Sequence, residues 1–246
     1  RTWWEGAMPS EQQHRDALTL HATIALTRDP ALQSIVADHL ELERCDIMRK
    51  QRRVGAGRAL GRLLLDFCGA AWGGVDGYRP LIAQLLDDCE QEIARHPGEM
   101  FLLGELSEAK YGWQESGGAP VIGGQHWQDT IAMQGLWRAW LVTGDKRARE
   151  WALRAARQTV EFAFFEAAGR WHHVYAWAWR GGQKAPASAF TGITNEWLNI
   201  DNAADYWDLS AAELLVRQEP KTTLGAKAAK LLGRDTMYSV KLIDTH

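Results

Sequence analysis

Apolar positions recur along this chain at helical spacing, in paired segments separated by turn residues. In the pair from Gln128 to Phe165, Ile131, Leu136 and Ala139 share one face of the first segment. Ala152, Ala155, Ala156 and Val160 share a small-residue face of the second, suited to close packing. Between them Trp140-Leu141-Val142 gives way to Thr143-Gly144-Asp145, whose residues favour a tight turn. An earlier pair runs from about Glu11 to Leu26 and from about Pro30 to Met48. Its inner stripe is Leu18, Ala22, Ala25 and Leu26, Ser10 stands where an N-cap is wanted, and Pro30 suits a first helical turn. A third pair spans about Gly57 to Ala71 and Tyr78 to Arg95, joined through Trp72-Gly73-Gly74-Val75-Asp76-Gly77. The last covers about Asn202 to Arg217 and Thr222 to Leu232, broken at Glu219-Pro220. Such recurrence predicts an all-α array of helical hairpins.

Two segments interrupt the pattern. Glu99 to Gly124 carries Gly-Gly pairs and Pro120 with little periodicity, and reads as a loop covering a face. Arg170 to Gly181 alternates, with His173, Tyr175, Trp177 and Trp179 on one side, which predicts a short β arm near 170–180. Loops of this length in a compact domain tend to be functional. No shift of composition divides the chain, so residues 1–246 read as one domain.

Composition narrows the choice of partners. Of 246 residues, 46% are hydrophobic and 24% charged, enough for one large core. A net charge of −3 offers no electrostatic reason to expect nucleic acid or a membrane surface. No apolar run reaches the roughly 18 residues of a membrane span. Cys45, Cys68 and Cys89 are odd in number and widely spaced, which predicts buried thiols rather than a disulfide framework or a zinc site. The chain begins at Arg1 rather than Met, as a processed protein or a piece of a larger one would. The composition assigns no compartment.

Thirteen tryptophans stand out. Trp137, Trp140 and Trp151 lie within helical periodicity and read as core. Trp3-Trp4, Trp113, Trp127, the run from Trp171 to Trp179, and Trp197 lie where periodicity stops. Aromatic faces in loops either plug the ends of a helical core or stack on flat ligand surfaces such as sugar rings.

The unit Leu136-Trp137-Arg138-Ala139-Trp140-Leu141-Val142-Thr143-Gly144-Asp145 resembles hairpins of the α/α-toroid carbohydrate-active proteins. These include polysaccharide lyases, glycoside hydrolases and sugar epimerases. The opening Glu11-Gln12-Gln13-His14-Arg15, followed by Leu26-Thr27-Arg28-Asp29, resembles lyase-type members most. At the level of architecture the resemblance covers most of residues 10–232. It implies a toroid-like array, as a closed or incomplete ring, acting on or binding a carbohydrate. The first helix of each hairpin would line the centre, with its N-terminal end facing the ligand.

Those ends are polar. They hold Glu11, Gln12, His14 and Arg15; then Arg49, Arg52, Arg53 and Arg58; then Gln125, His126, Gln128 and Asp129; then Asn195, Glu196, Asn199, Asp201 and Asn202. Helix N-termini attract anions, and arginine binds carboxylates in bidentate fashion. Helix capping alone also places polar residues there. Lyase chemistry next to a uronic-acid carboxylate needs a neutralising cation and a His or Tyr base, and His126, His14, Arg15 and Tyr111 are the candidates. Trp4, Trp113, Trp127, Gln128, Asp129, Trp177, Glu196 and Trp197 are candidate substrate contacts. Hydrolysis would need two carboxylates flanking the glycosidic bond, and no pair is singled out. His172 and His173 would point to opposite faces of a strand, so no metal is expected. Phosphate-binding and dinucleotide fingerprints are missing, so no cofactor is expected. The alternative is a non-catalytic helical-repeat module, for binding or assembly, within a larger protein, particle or homo-oligomer.

Overall fold

The run Leu60, Leu63, Leu64, Phe67, Cys68 and Ala71 repeats at helical spacing, and all six side chains are buried. They belong to one helix of a computed structural model that describes residues 27, 29–31, 34, 58–72, 77–95, 122–167, 170–173, 176–180, 183–186 and 206–234. In chain order the elements are α1 (Arg58–Trp72), α2 (Tyr78–Arg95), β1 (Ile122–Gln125), α3 (His126–Thr143) and α4 (Lys146–Phe162). They continue with β2 (Phe164–Ala167), β3 (Arg170–His173), β4 (Ala176–Arg180), β5 (Gln183–Pro186), α5 (Tyr206–Gln218) and α6 (Thr223–Arg234). The protein is predominantly helical, and its helices form successive hairpins. Of the hairpin expected over 11–48 only fragments are described. There Asp29 Oδ1 accepts the Ala31 N–H at 2.8 Å, capping a helix that begins at Pro30.

Local corrections have local causes. The first helix of the Gln128–Phe165 pair starts two residues earlier, at His126, directly from a strand. Its partner stops at Phe162, and Phe164-Phe165 opens β2 instead, because aromatic residues suit a strand as well as a helix. Ile122–Gly124 is not loop but strand, paired antiparallel with β4.

The closest helix contact joins α1 and α3. A Cβ on Gly61 would meet the carbonyl carbon and oxygen of Ile131 at 2.5 Å, and one on Gly135 would meet the Gly61 oxygen at 2.5 Å. Backbone therefore lies on backbone, closer than side chains allow. Further along, Arg138 acts electrostatically on Cys68, and Arg79 at the head of α2 donates to the Val142 carbonyl. The register advances in the same sense on both helices, so α1 and α3 run parallel. At the end of α3, Arg149 of α4 donates to Gln218, the last residue of α5, at 3.2 Å, so α5 is parallel to them as well. Lys227 and Lys230 of α6 reach Glu161 and Glu166 in that order, which aligns α6 with α4. Helices α1, α3 and α5 thus form one layer and α2, α4 and α6 the other. The core between them includes Leu64, Leu85, Leu136, Ala152, Ala156, Leu215 and Leu231.

The turn Thr143-Gly144-Asp145 is built from three devices. Gly144 takes φ +75°, and its N–H closes on the Trp140 carbonyl at 2.7 Å, ending α3 in a left-handed residue. The Thr143 hydroxyl donates to the Ala139 carbonyl at 2.6 Å and accepts the Asp145 N–H at 3.1 Å. Asp145 caps α4 by accepting the Arg147 N–H at 2.9 Å. The Arg147 guanidinium also spans Asp145, Asp87 and Glu90, joining α4 to α2. This holds the Asp145 carboxyl below the usual carboxylate range, chiefly through the hydrogen bond from Arg147, and pushes the guanidinium pKa upward. The carboxylate's contribution is present at neutral pH and is lost as pH falls through its lowered folded-state value.

Cys68 and Cys89 are buried, and burial pushes the Cys68 thiol up to about 12, so it is inert. Among the described residues no helix is long and apolar enough to cross a membrane.

Alanine at Gly61 or Gly135 should lower stability by about 1–3 kcal/mol despite the gain in helix propensity. At Gly233 nothing lies within 4 Å of an added Cβ, so the same change should be neutral or stabilising by up to about 1 kcal/mol. Denaturant midpoints of the three variants check this, and equal effects at all three sites would contradict it. Asp145→Asn should cost about 0.5–1 kcal/mol at neutral pH, and the gap from the parent should close on acidification. Unfolding curves across the acidic range would show it.

Candidate functional site

Polar side chains rarely lie wholly inside a core, yet a group of them does so at the N-terminal end of α3. His126, Asp129, Thr130 and Thr159 have 0% exposure, Gln158 1% and His173 4%. The chain brings them together by simple topology. Strand β1 pairs with β4 so that Gln125 faces Ala176, and His126 follows β1 directly as the first residue of α3. His173 ends β3, three residues before β4 begins. The same pairing therefore brings the two histidines to one place, with ring centroids 6.2 Å apart at 61°. Phe164 faces His173 across the β2–β3 ladder and lies 5.1 Å from its ring.

One turn into α3, the Asp129 carboxylate accepts from Gln158 Nε2 of α4 at 3.5 Å, a long contact at the edge of hydrogen-bond range. An acidic residue in the first turn also complements the positive end of the helix dipole. Thr130 turns its hydroxyl back to the Trp127 carbonyl at 2.9 Å. The Gln158 carbonyl oxygen and the Thr159 hydroxyl are buried with no hydrogen-bond partner among the described residues. Two imidazoles and a carboxylate therefore lie together in a dry setting, and these are side-chain types that serve general acid–base chemistry. Among the described residues no three His, Cys, Asp or Glu side chains form a group that could hold a metal ion.

The structure places four of the predicted residues, His126, Trp127, Gln128 and Asp129, in the opening turn of α3. Trp127 and Gln128 are half-buried, while His126 and Asp129 face inward. Trp177 sits in β4, the central strand of the β1–β4–β5 sheet, opposite Gly124 and Pro186. His14, Arg15, Tyr111, Trp4, Trp113, Glu196 and Trp197 lie outside the described residues. The pattern reading passed over His173 as a partner of His126, and over Gln158, Thr159 and Phe164. Thr159 did leave a trace: it falls on the stripe of Ala152, Ala155 and Ala156, a hydroxyl on an otherwise apolar face.

No protein-family model, curated protein or solved structure matches the chain.

Thr159→Val keeps the side chain's shape and removes a buried hydroxyl. It should leave stability unchanged or raise it by about 1 kcal/mol. Thermal or denaturant unfolding measures this; a loss of more than about 1 kcal/mol would show that the hydroxyl holds a partner.

Proposed function

We propose that this chain is a carbohydrate-active protein whose hairpins are consecutive members of an α/α-toroid-like array, with a short β arm beside the site. The substrate class is a uronic-acid-containing polysaccharide and the chemistry lyase-type elimination. The observation that carries this reading is the pairing of His126 with His173 at 6.2 Å, at the N-terminal end of a helix in the α1–α3–α5 layer. His126 is the base: it removes the proton from the carbon beside the uronate carboxyl. The electrons of that C–H bond form a carbon–carbon double bond, and the bond to the glycosidic oxygen breaks. A second proton donor, for which His173, His14 and Tyr111 are the candidates, protonates the leaving oxygen. Arg15 is the candidate cation that neutralises the carboxylate, the condition that lets the proton leave. Trp4, Trp113, Trp127, Gln128, Asp129, Trp177, Glu196 and Trp197 are the proposed sugar contacts.

A second reading has an observation of its own. Exposures of 0% for His126 and Asp129 and 4% for His173 suit a buried polar core that aligns the hairpins in a non-catalytic helical-repeat module. Such a module would serve a larger parent chain or a homo-oligomer. Trp72 at 65% exposure and Leu141 at 57%, at the C-terminal ends of α1 and α3, suit an interface in that case.

Incubation with a panel of uronic-acid polysaccharides, followed by the ultraviolet absorbance of unsaturated product, separates the two. The lyase reading predicts product, and a fall in kcat of about 10²–10⁴-fold in a folded His126→Ala variant. Absence of product from the whole panel, or full turnover by His126→Ala, would sink it.

A further inference from the structure

Helix α6 touches neither histidine in sequence or by pairing, yet it holds the strand that does. Lys227 donates to the Glu161 carbonyl at 3.0 Å and to the Phe164 carbonyl at 2.6 Å. These carbonyls stand at the C-terminal end of α4 and at the first residue of β2, where helix carbonyls run out of partners and a cation suits the dipole. One turn later Lys230 pairs with the Glu166 carboxylate at 2.6 Å. Phe164 and Glu166 are two residues apart on β2, so two lysines of one helix face fix two points of one strand.

That strand sets His173. Phe164 faces His173 and Glu166 faces Trp171 in the β2–β3 register. A slip of one residue would turn His173 away from Phe164 and His126, since neighbouring strand residues point to opposite faces. We propose that Lys227 and Lys230 are positioning residues for the two-histidine site, and that α6 sets the distance between His173 and His126 through β2. Burial of Ala228 and Leu231 in the core makes α6 a firm base for both lysines. Lys227 is itself half-buried, and the loss of hydration lowers its pKa; its two carbonyl contacts replace part of that hydration. This proposal rests on the reading of His126 and His173 as the site.

The test is nuclear magnetic resonance of the whole chain with isotope-labelled histidine, assigned by His126→Gln and His173→Gln. Lys227→Met and Lys230→Met should each displace the His173 ring resonances, with a larger displacement in the double variant. Lys227→Arg, which keeps a donating cation, should restore the parent positions. Lys221→Met, on the exposed turn before α6, should leave them in place. Unchanged His173 resonances in a double variant that keeps its helical circular dichroism would overturn the proposal, and so would an equal displacement by Lys221→Met. If Lys227→Met does not fold, Lys230→Met alone decides, because Lys230 is 52% exposed and tolerates replacement. The readout is resonance position rather than turnover, so its failure is distinct from failure to cleave polysaccharide.

Discussion

The contact of Gly61 with the α3 backbone, and of Gly135 with Gly61, is the constraint on which the described structure depends. Two helices that meet through backbone atoms have little freedom to rotate or slide, because any Cβ in the crossing collides with a peptide group. The crossing makes α1 and α3 parallel neighbours, and this leaves α2 and α4 to cover them from one side. It also aims the N-terminal end of α3, and with it His126 and Asp129, at the end of the layer where β1 and β2 lie. A shift at the glycines would travel along α3 as a rigid rod and arrive at the histidine pair.

The two ends of α3 are managed differently. At its C-terminal end every device is a cap or a hydrogen bond to the backbone: Gly144 in the left-handed region, the Thr143 hydroxyl, the Asp145 cap, and Arg79 on the Val142 carbonyl. On α4, Arg157 grips Glu219 through Nε at 3.0 and 3.1 Å and ties the helix to the turn between α5 and α6. Such partly exposed pairs contribute modestly one by one and act mainly by fixing geometry. At the N-terminal end of α3 the polar groups are instead buried together, where desolvation is costly and must be offset by contacts. That contrast between the two ends is what favours the N-terminal end of α3 as the place of the proposed site.

Much of this was legible because it is local. The bounds of α2 fall where the pattern ends, at Tyr78 and Arg95, and Thr143-Gly144-Asp145 reads as a turn from its residue types alone. The stripe of Ala152, Ala155, Ala156 and Val160 marks the buried face of α4, and all four are fully buried. What stayed hidden depends on residues far apart in the chain. Nothing in the neighbourhood of Gly61 or Gly135 announces that they meet; a glycine in a helix reads only as a weak helix former. The partnership of His126 with His173 arises from strand pairing that no helical period can report. Phe164-Phe165 fits helix and strand patterns alike, so the end of α4 was misread by a few residues, and with it the strand that seats His173. Seven of the twelve candidate residues, including His14, Arg15 and Tyr111, lie outside the described residues.

The central claim is that a sugar acid binds at the end of the α1–α3–α5 layer where His126 and His173 meet. A structure of the protein with an unreactive uronic-acid oligosaccharide bound tests it most directly. The account predicts the sugar carboxylate within hydrogen-bonding reach of a cationic side chain, and the carbon beside it near His126. A sugar seated instead at the Trp72–Leu141 end, or none bound at millimolar concentration, would contradict it.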